Sequence, residues 1–207
     1  MNIFIKMYTA FDHSTCDVNN SKRFMAYLID WFLGSLCTML PMCLLWMFWT
    51  QNVDTMTDAN VLYIAGQIGT WQAYLAGAMS VVFALFYYVY FPYKIHRGQT
   101  PGKRAMGFKV VKTNGDDVDL KTLLIRVVIG IILVESVLYN VSGVCFSILS
   151  LATGVNFLTI MKFVGIALGL FSAFLVLKVE SRRMLHDYMA DTKVIVFESE
   201  VSEDQRI

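Results

Sequence analysis

The chain has 207 residues, of which 57% are hydrophobic and 16% are charged, and its formal net charge is +1. With a positive mean hydropathy, this composition excludes an ordinary soluble domain and indicates a membrane protein. The net charge itself is uninformative, because the charged residues cluster in three segments and nearly vanish between them.

The N-terminal segment, residues 1–22, has acids and amides where a cleavable signal peptide needs a basic start and a small-residue cleavage site. We therefore expect no signal peptide, and a first membrane helix that serves as an uncleaved anchor. The cysteines show no CxxC and no metal-ligand spacing, so we expect reduced packing residues. They are Cys16, Cys37, Cys43 and Cys145.

Four apolar runs are long enough to cross a bilayer, which takes about 20 helical residues. They cover residues 24–49, 69–91, 123–149 and 157–177. The predicted fold is therefore an all-α membrane protein, a four-helix transmembrane bundle. A cytoplasmic loop, residues 92–122, joins the second and third spans, and an acidic tail, residues 197–207, ends the chain.

The basic residues predict the orientation of these spans. All of them except Lys162 lie before or at the first span, in or beside the 92–122 loop, or after the fourth span. Short cytoplasmic loops are enriched in lysine and arginine, and the two opposite loops contain neither. We therefore expect both termini and the central loop to be cytoplasmic, in a multi-pass protein.

Two further patterns lie in the spans. Small residues recur at every fourth position around Gly77 and Gly169, and such strips let helices approach closely in lipid, either within the chain or in a homo-oligomer. Tyr87 and Tyr88 lie near the inner end of the second span, where an interfacial position and packing inside the bundle are both open.

The central loop is glycine-rich, but it does not form a phosphate-binding loop. Gly98 and Gly102 enclose three residues instead of four, and no strand precedes them, so we expect no nucleotide. Residues 109–112 predict a strand, Asn114-Gly115 a turn, and Asp119 a cap for the third helix. Pairing with a second strand at 193–196 would form a small cytoplasmic β element.

The basic residues around this element are expected to contact anionic lipid head groups. Nucleic acid is not an expected partner, because it usually needs a basic surface free of membrane constraint.

Four stretches in order carry a family resemblance: "RFMAYLID", "GQTPGKRAMGFKVVKTNG", "LLIR" and "LHDYMADTKVIV". Together they resemble the RDD family of bacterial integral membrane proteins, named for one arginine and two aspartates. On this resemblance Arg23, Asp30 and Asp187 are those three residues, and an RDD-like domain covers residues 23–196. Asp191 stands where the family pattern usually has glycine.

The resemblance implies a multi-pass protein of the bacterial plasma (inner) membrane. It also implies a transporter of an unspecified set of ligands, with sodium/proton exchange proposed for some members.

Asp30 lies seven residues beyond Arg23, on the same helical face and about 10 Å deeper. That separation is long for an ion pair, so we expect Arg23 to extend toward lipid head groups. An ionised acid inside a span needs a partner. Our preferred partner for Asp30 is Arg126, and the alternative is that Asp187 and His186 fold back beneath the bundle.

Glu135 follows Arg126 by nine residues, which places the two on opposite helix faces. It therefore needs another partner, and Lys162 is the only basic residue besides Arg126 within a predicted span. We expect a Glu135–Lys162 pair near the middle of the membrane.

Two functions compete at this point. In the first, the bundle moves a small solute or ion, with Asp30 as the coupling site, Arg23 and Arg126 as charge partners and Asp187 as an inner gate; Glu135 could exchange the proton or cation instead. Such a small bundle would need a homo-oligomer or a tight central cavity. In the second, a non-transporting accessory subunit docks a partner through its basic cytoplasmic loop.

An enzyme is not expected. His13, His96 and His186 are scattered, and no HExxH or GxSxG occurs. We also expect no metal and no cofactor.

Overall fold

The first helix confirms the first predicted span. The computed structural model describes residues 16–136 and 139–197, and helix α1 spans Asn20–Thr50. The Asn19 side chain caps it by accepting a hydrogen bond from the Ser21 backbone at 2.9 Å. Large apolar side chains such as Phe48, which is 72% exposed, cover the outer surface of α1.

The second predicted span is also a long helix. After a 3₁₀ turn at Met56–Asp58, the short helix α2 covers Val61–Gln67. Helix α3, Thr70–Leu85, then continues without a break into a first π-helical segment, Phe86–Ile95. Pro92 lies inside this segment; it has no backbone N–H to donate to the helical ladder.

A short helix precedes each strand of a two-stranded antiparallel sheet. Helix α4, Pro101–Ala105, precedes β1, Phe108–Lys112. Strand β2 covers Thr192–Val196. Phe108 pairs with Val196 and Lys112 with Thr192, so the predicted pairing between the central loop and the C-terminal region is confirmed.

The third predicted span is divided into two parts. Helix α5, Leu120–Leu124, continues as a second π-helical segment, Ile125–Val134, which ends at Glu135. Helix α6, Asn140–Thr153, follows after this break. Asp119 caps α5 as predicted, because its carboxylate accepts a hydrogen bond from the Thr122 backbone at 2.7 Å. The chain does not form one continuous helix over residues 123–149.

The fourth predicted span is helix α7, Phe157–Lys178, and the short helix α8, Leu185–Met189, lies between it and β2. By length and composition, three helices in the described residues could cross a membrane: Asn20–Thr50, Thr70–Ile95 and Phe157–Lys178. The four-helix count is therefore not confirmed, since the third run forms shorter pieces around Glu135.

Small residues pack the helices inside the chain. A Cβ added at Gly77 of α3 would lie 2.8 Å from the end of the Ile148 side chain of α6, so that side chain would have to shift for the helices to keep this close approach. Tyr87 and Tyr88 are each only 6% exposed and belong to a core with Val127, Ile131 and residues of α6. They pack inside the bundle, which decides between the two positions that the sequence left open.

Candidate functional site

Asp30 is enclosed by donors from the first π segment and from the start of α4. Its side chain is buried, and Oδ1 accepts hydrogen bonds from the Tyr87 hydroxyl and the Gly102 backbone, both at 2.8 Å. Oδ2 accepts from the Thr100 hydroxyl and from Lys103 Nζ at 3.3 Å. We call these five residues the Asp30 clamp. Four donors saturate the acceptor capacity of the carboxylate.

The local sequence explains how the clamp forms. Thr100 precedes α4 and Pro101 begins it, and proline is favoured at the first helical position because its missing N–H would be unpaired there anyway. Gly102 lets α4 approach α1, since an added Cβ would lie 2.8 Å from the Asp30 carboxyl carbon and would also collide with the Ala26 carbonyl. The predicted Asp30–Arg126 pair is wrong, because Asp30 pairs with Lys103 instead.

Asp187 collects a second set of donors at the start of α8. Its Oδ1 accepts from Arg126 Nη1 and from the Thr192 hydroxyl at 3.1 Å, and its Oδ2 accepts from the Met184 backbone at 3.0 Å. Arg23 Nη2 lies 3.9 Å from Oδ2. Arg23 also donates to the Arg182 carbonyl. It therefore turns inward, and the expectation that it extends toward lipid head groups is wrong.

The charge on Asp187 is stabilised by these partners. Burial raises the pKa of the Asp187 carboxyl, but the guanidinium groups of Arg126 and Arg23 outweigh burial and hold that pKa well below its usual range. Asp187 is therefore ionised at neutral pH. It joins α1, the second π segment and β2 through one carboxylate.

Glu135 binds His186 where the third helical region breaks. Its Oε2 lies 2.8 Å from His186 Nδ1, and its Oε1 accepts from the Ser172 hydroxyl at 2.6 Å and the His186 backbone at 3.3 Å. Arg126 Nη2 lies 3.0 Å from His186 Nε2. Because a guanidinium only donates, the network assigns the imidazole proton to Nδ1, and His186 is the neutral tautomer.

The predicted Glu135–Lys162 pair is therefore wrong. Lys162 lies on the exposed surface of α7 and makes no ion pair with any residue in the described ranges. We call Arg23, Arg126, Glu135, His186 and Asp187 the Asp187 network. It runs from the helix break at Glu135 to the two-stranded sheet.

The clamp and the network border one cavity. Its volume is about 610 Å³, and its lining includes Asp30, Glu135, Arg23, Arg126 and His186. The cavity lies between α1, the second π segment and α7. Two buried acids, Asp30 and Glu135, therefore face one shared space, although each is already paired on its protein side.

The sequence pattern identifies the buried acids but not most of their partners. The predicted site residues did not include Tyr87, Thr100 and Lys103 of the clamp, or Ser172 and Thr192, which hydrogen-bond to the network. One signal was available: Thr100-Pro101-Gly102 is a helix start with a free backbone donor, and an acid in a span needs donors. The alternative that Asp187 and His186 fold back to pair with Asp30 is also wrong, because both of them contact Arg126 instead.

Long apolar helices with outward-facing large hydrophobic side chains, together with a buried, paired acid inside the first of them, define a polytopic membrane protein. The model of the RDD family matches residues 19–191. The chain belongs to the RDD family. No curated protein and no solved structure matches it significantly. Within the described ranges, no group of three His, Cys, Asp or Glu side chains is arranged to hold a metal ion.

Proposed function

We propose that this protein couples the movement of a small solute or ion to a proton or sodium gradient, with Glu135 and His186 as the exchange pair. One observation carries the proposal: a buried carboxylate and a neutral imidazole, 2.8 Å apart, line the same 610 Å³ cavity. Histidine and carboxylate pairs inside membranes are typical of proton relays. We assign the coupling role to Glu135 in place of Asp30, because every hydrogen-bond acceptor position of the Asp30 carboxylate is already occupied.

The geometry supports a direct link between protonation and conformation. Ionised Glu135 holds both the backbone and the imidazole of His186. A proton taken up by Glu135 weakens both hydrogen bonds, because a neutral carboxyl is a poorer acceptor than a carboxylate. The hold of Glu135 on His186 then loosens, and α8, which carries Asp187 as the proposed inner gate, is held less tightly while it keeps its contacts with Arg126 through Asp187 and His186.

The proposed setting is the bacterial plasma membrane, with both termini on the cytoplasmic side. The distribution of lysine and arginine supports this orientation. The two-stranded sheet would then close the cytoplasmic end of the bundle, near anionic lipid head groups. We propose no catalytic activity and no nucleotide or nucleic acid partner.

The test is proton movement in vesicles that contain the purified protein. A pH-sensitive dye inside the vesicles reports proton flux when a sodium, lithium or potassium gradient is applied. We expect Glu135→Gln to abolish flux, since glutamine keeps the shape of glutamate but cannot exchange a proton. Ser172→Ala removes one hydrogen bond to Glu135 and leaves the exchanging acid, so we expect flux to persist.

The matched control is Glu180→Gln, an exposed acid just beyond α7. Thermal stability in detergent is measured for every variant, so that loss of flux is separated from loss of fold. Flux in Glu135→Gln equal to that of the unmodified protein would exclude the exchange role. Wild-type vesicles that behave like empty vesicles under all gradients would exclude coupling to these ions.

A non-transporting accessory subunit is the second candidate, and the saturated Asp30 clamp favours it. All four donors to Asp30 come from the chain itself, as expected of an acid that fixes helix register. The vesicle assay discriminates between the two functions, because an accessory subunit shows no flux under any gradient. The Asp30→Asn variant tests the structural role of Asp30: a variant that fails to fold supports that role, whereas a stable variant that has lost flux would contradict it.

A further inference from the structure

The cavity has an apolar mouth that opens sideways toward lipid. In the described part of the chain, α1 packs against α3 and α4 and α7 packs against α6, while α1 and α7 share no extensive contact. Phe24 of α1 and Leu177 of α7 both line the cavity, and they are 59% and 68% exposed on the outer surface. A ligand that enters between these helices passes apolar side chains first.

The inner end of the cavity offers hydrogen-bond donors. Asp30 is saturated, and three of the acceptor positions of Glu135 are occupied. Lys103 Nζ has three donors and uses two of them within the described residues, on Asp30 and on Thr100 at 3.0 Å. Arg23 contributes a further guanidinium to the lining. The hydrogen-bonding groups that remain available at this end of the cavity are therefore cationic donors.

We propose that this cavity binds a single-chain lipid with an anionic head group, taken from the bilayer through the opening between α1 and α7. The head group would lie near Arg23 and Lys103, and the acyl chain would lie along Ile131, Val176 and Leu177. The volume of 610 Å³ falls within the range of about 300–1,000 Å³ for small-molecule sites. The inference rests on the proposed function, because it names the class of solute.

Native mass spectrometry of the full chain, released from detergent micelles, tests this assignment. The probe is lysophosphatidic acid, which has one acyl chain and a phosphate monoester. The comparison ligands are lysophosphatidylcholine of the same chain length, which is zwitterionic, and glycerol phosphate, which has no chain. We expect lysophosphatidic acid to bind at least about tenfold more tightly than either comparison ligand.

Two variants on α7 locate the site. Leu177→Trp narrows the mouth, and we expect it to weaken binding of lysophosphatidic acid by about tenfold or more. The matched control is Leu170→Trp, because Leu170 is 69% exposed on the same helix but does not line the cavity. Thermal stability of both variants is measured so that a folding defect is recognised.

Three results would overturn the inference: equal binding of the two lysolipids, equal binding by Leu177→Trp and Leu170→Trp, or competition by glycerol phosphate. A Leu177→Trp protein that does not fold is replaced by Val176→Phe, which fills the same wall and carries the same expectation. Binding is measured without a gradient. Absence of selective lysophosphatidic acid binding therefore contradicts this inference, whereas absence of proton flux in the vesicles contradicts the proposed function.

Discussion

Two arginines converge on Asp187, and this residue shows how the protein tolerates charge in an apolar surrounding. Arg126 donates to its carboxylate directly, and Arg23 lies 3.9 Å away. Since Asp187 is fully buried, the loss of its charge would leave two guanidinium groups without a counter-charge. Removing one member of a buried ion pair destabilises a protein by more than the pair itself contributes to stability, because the remaining charge stays buried without a partner.

We predict that Asp187→Asn destabilises the protein by about 3–5 kcal/mol at neutral pH. The partners hold the pKa of Asp187 below its usual range, so its contribution is complete above the unfolded value of about 3.9. It is lost only as the pH falls through the lower folded pKa. Thermal melts of wild type and variant should therefore differ equally at pH 7 and pH 5, and should converge at lower pH.

The control for this prediction is Asp191→Asn. The Asp191 side chain is 81% exposed, and its φ of 50° is one that asparagine also tolerates. We expect its melting temperature to stay close to that of wild type at every pH. An Asp187→Asn protein as stable as wild type at pH 7 would show that the network does not stabilise the fold.

At the scale of elements, α4 is a short helix that depends on its contact with α1. Five residues do not make a stable helix in isolation. The clamp supplies the stabilisation that α4 lacks. Asp30 accepts a hydrogen bond from the Gly102 backbone N–H near the N-terminus of α4, where a negative charge also interacts favourably with the helix dipole. The contact fixes the position of the loop that leads into β1.

We predict that Gly102→Ala destabilises the protein by about 1–3 kcal/mol, the usual cost of overpacking. The new Cβ would lie 2.8 Å from the Asp30 carboxyl carbon, so α4 must move and the clamp must lengthen. The control is Gly143→Ala in α6, where an added Cβ meets no atom within 4 Å among the described residues. Equal melting temperatures for the two variants would contradict the close approach of α4 and α1.

At the scale of the whole molecule, the two-stranded sheet joins regions that lie far apart in the sequence. Strand β1 follows the second span, and β2 follows the fourth. The Val110 backbone N–H donates to the Gly98 carbonyl at 2.9 Å, so it points away from β2. Val110 and Val194 therefore form a non-hydrogen-bonded pair, in which the two Cα atoms lie about 4.5 Å apart.

We predict that Val110→Cys with Val194→Cys forms an intramolecular disulfide, because this separation lies within the range that a disulfide spans. The experiment uses a chain whose four native cysteines are replaced by alanine, and mobility on a non-reducing gel reports the crosslink. Val110→Cys with Ile195→Cys is the control, since neighbouring strand residues point to opposite faces. Equal crosslinking of the two pairs would contradict the register.

The sequence by itself determined the apolar runs, the Asp119 cap and the two strands, because these depend on local hydrophobicity, capping and strand propensity. It also predicted that β1 pairs with β2, since neither strand is stable alone. It also placed Asp30 and Asp187 at positions that require partners. Only the tertiary structure decided which partners: Lys103 lies 73 positions from Asp30, and Arg126 lies 61 positions from Asp187. Several cations satisfy the charge requirement equally well in sequence, and only the packing of α4 and α8 selects between them. The helix break at Glu135 has the same origin, since Glu135 binds Ser172 and His186 from elements that follow it in the chain.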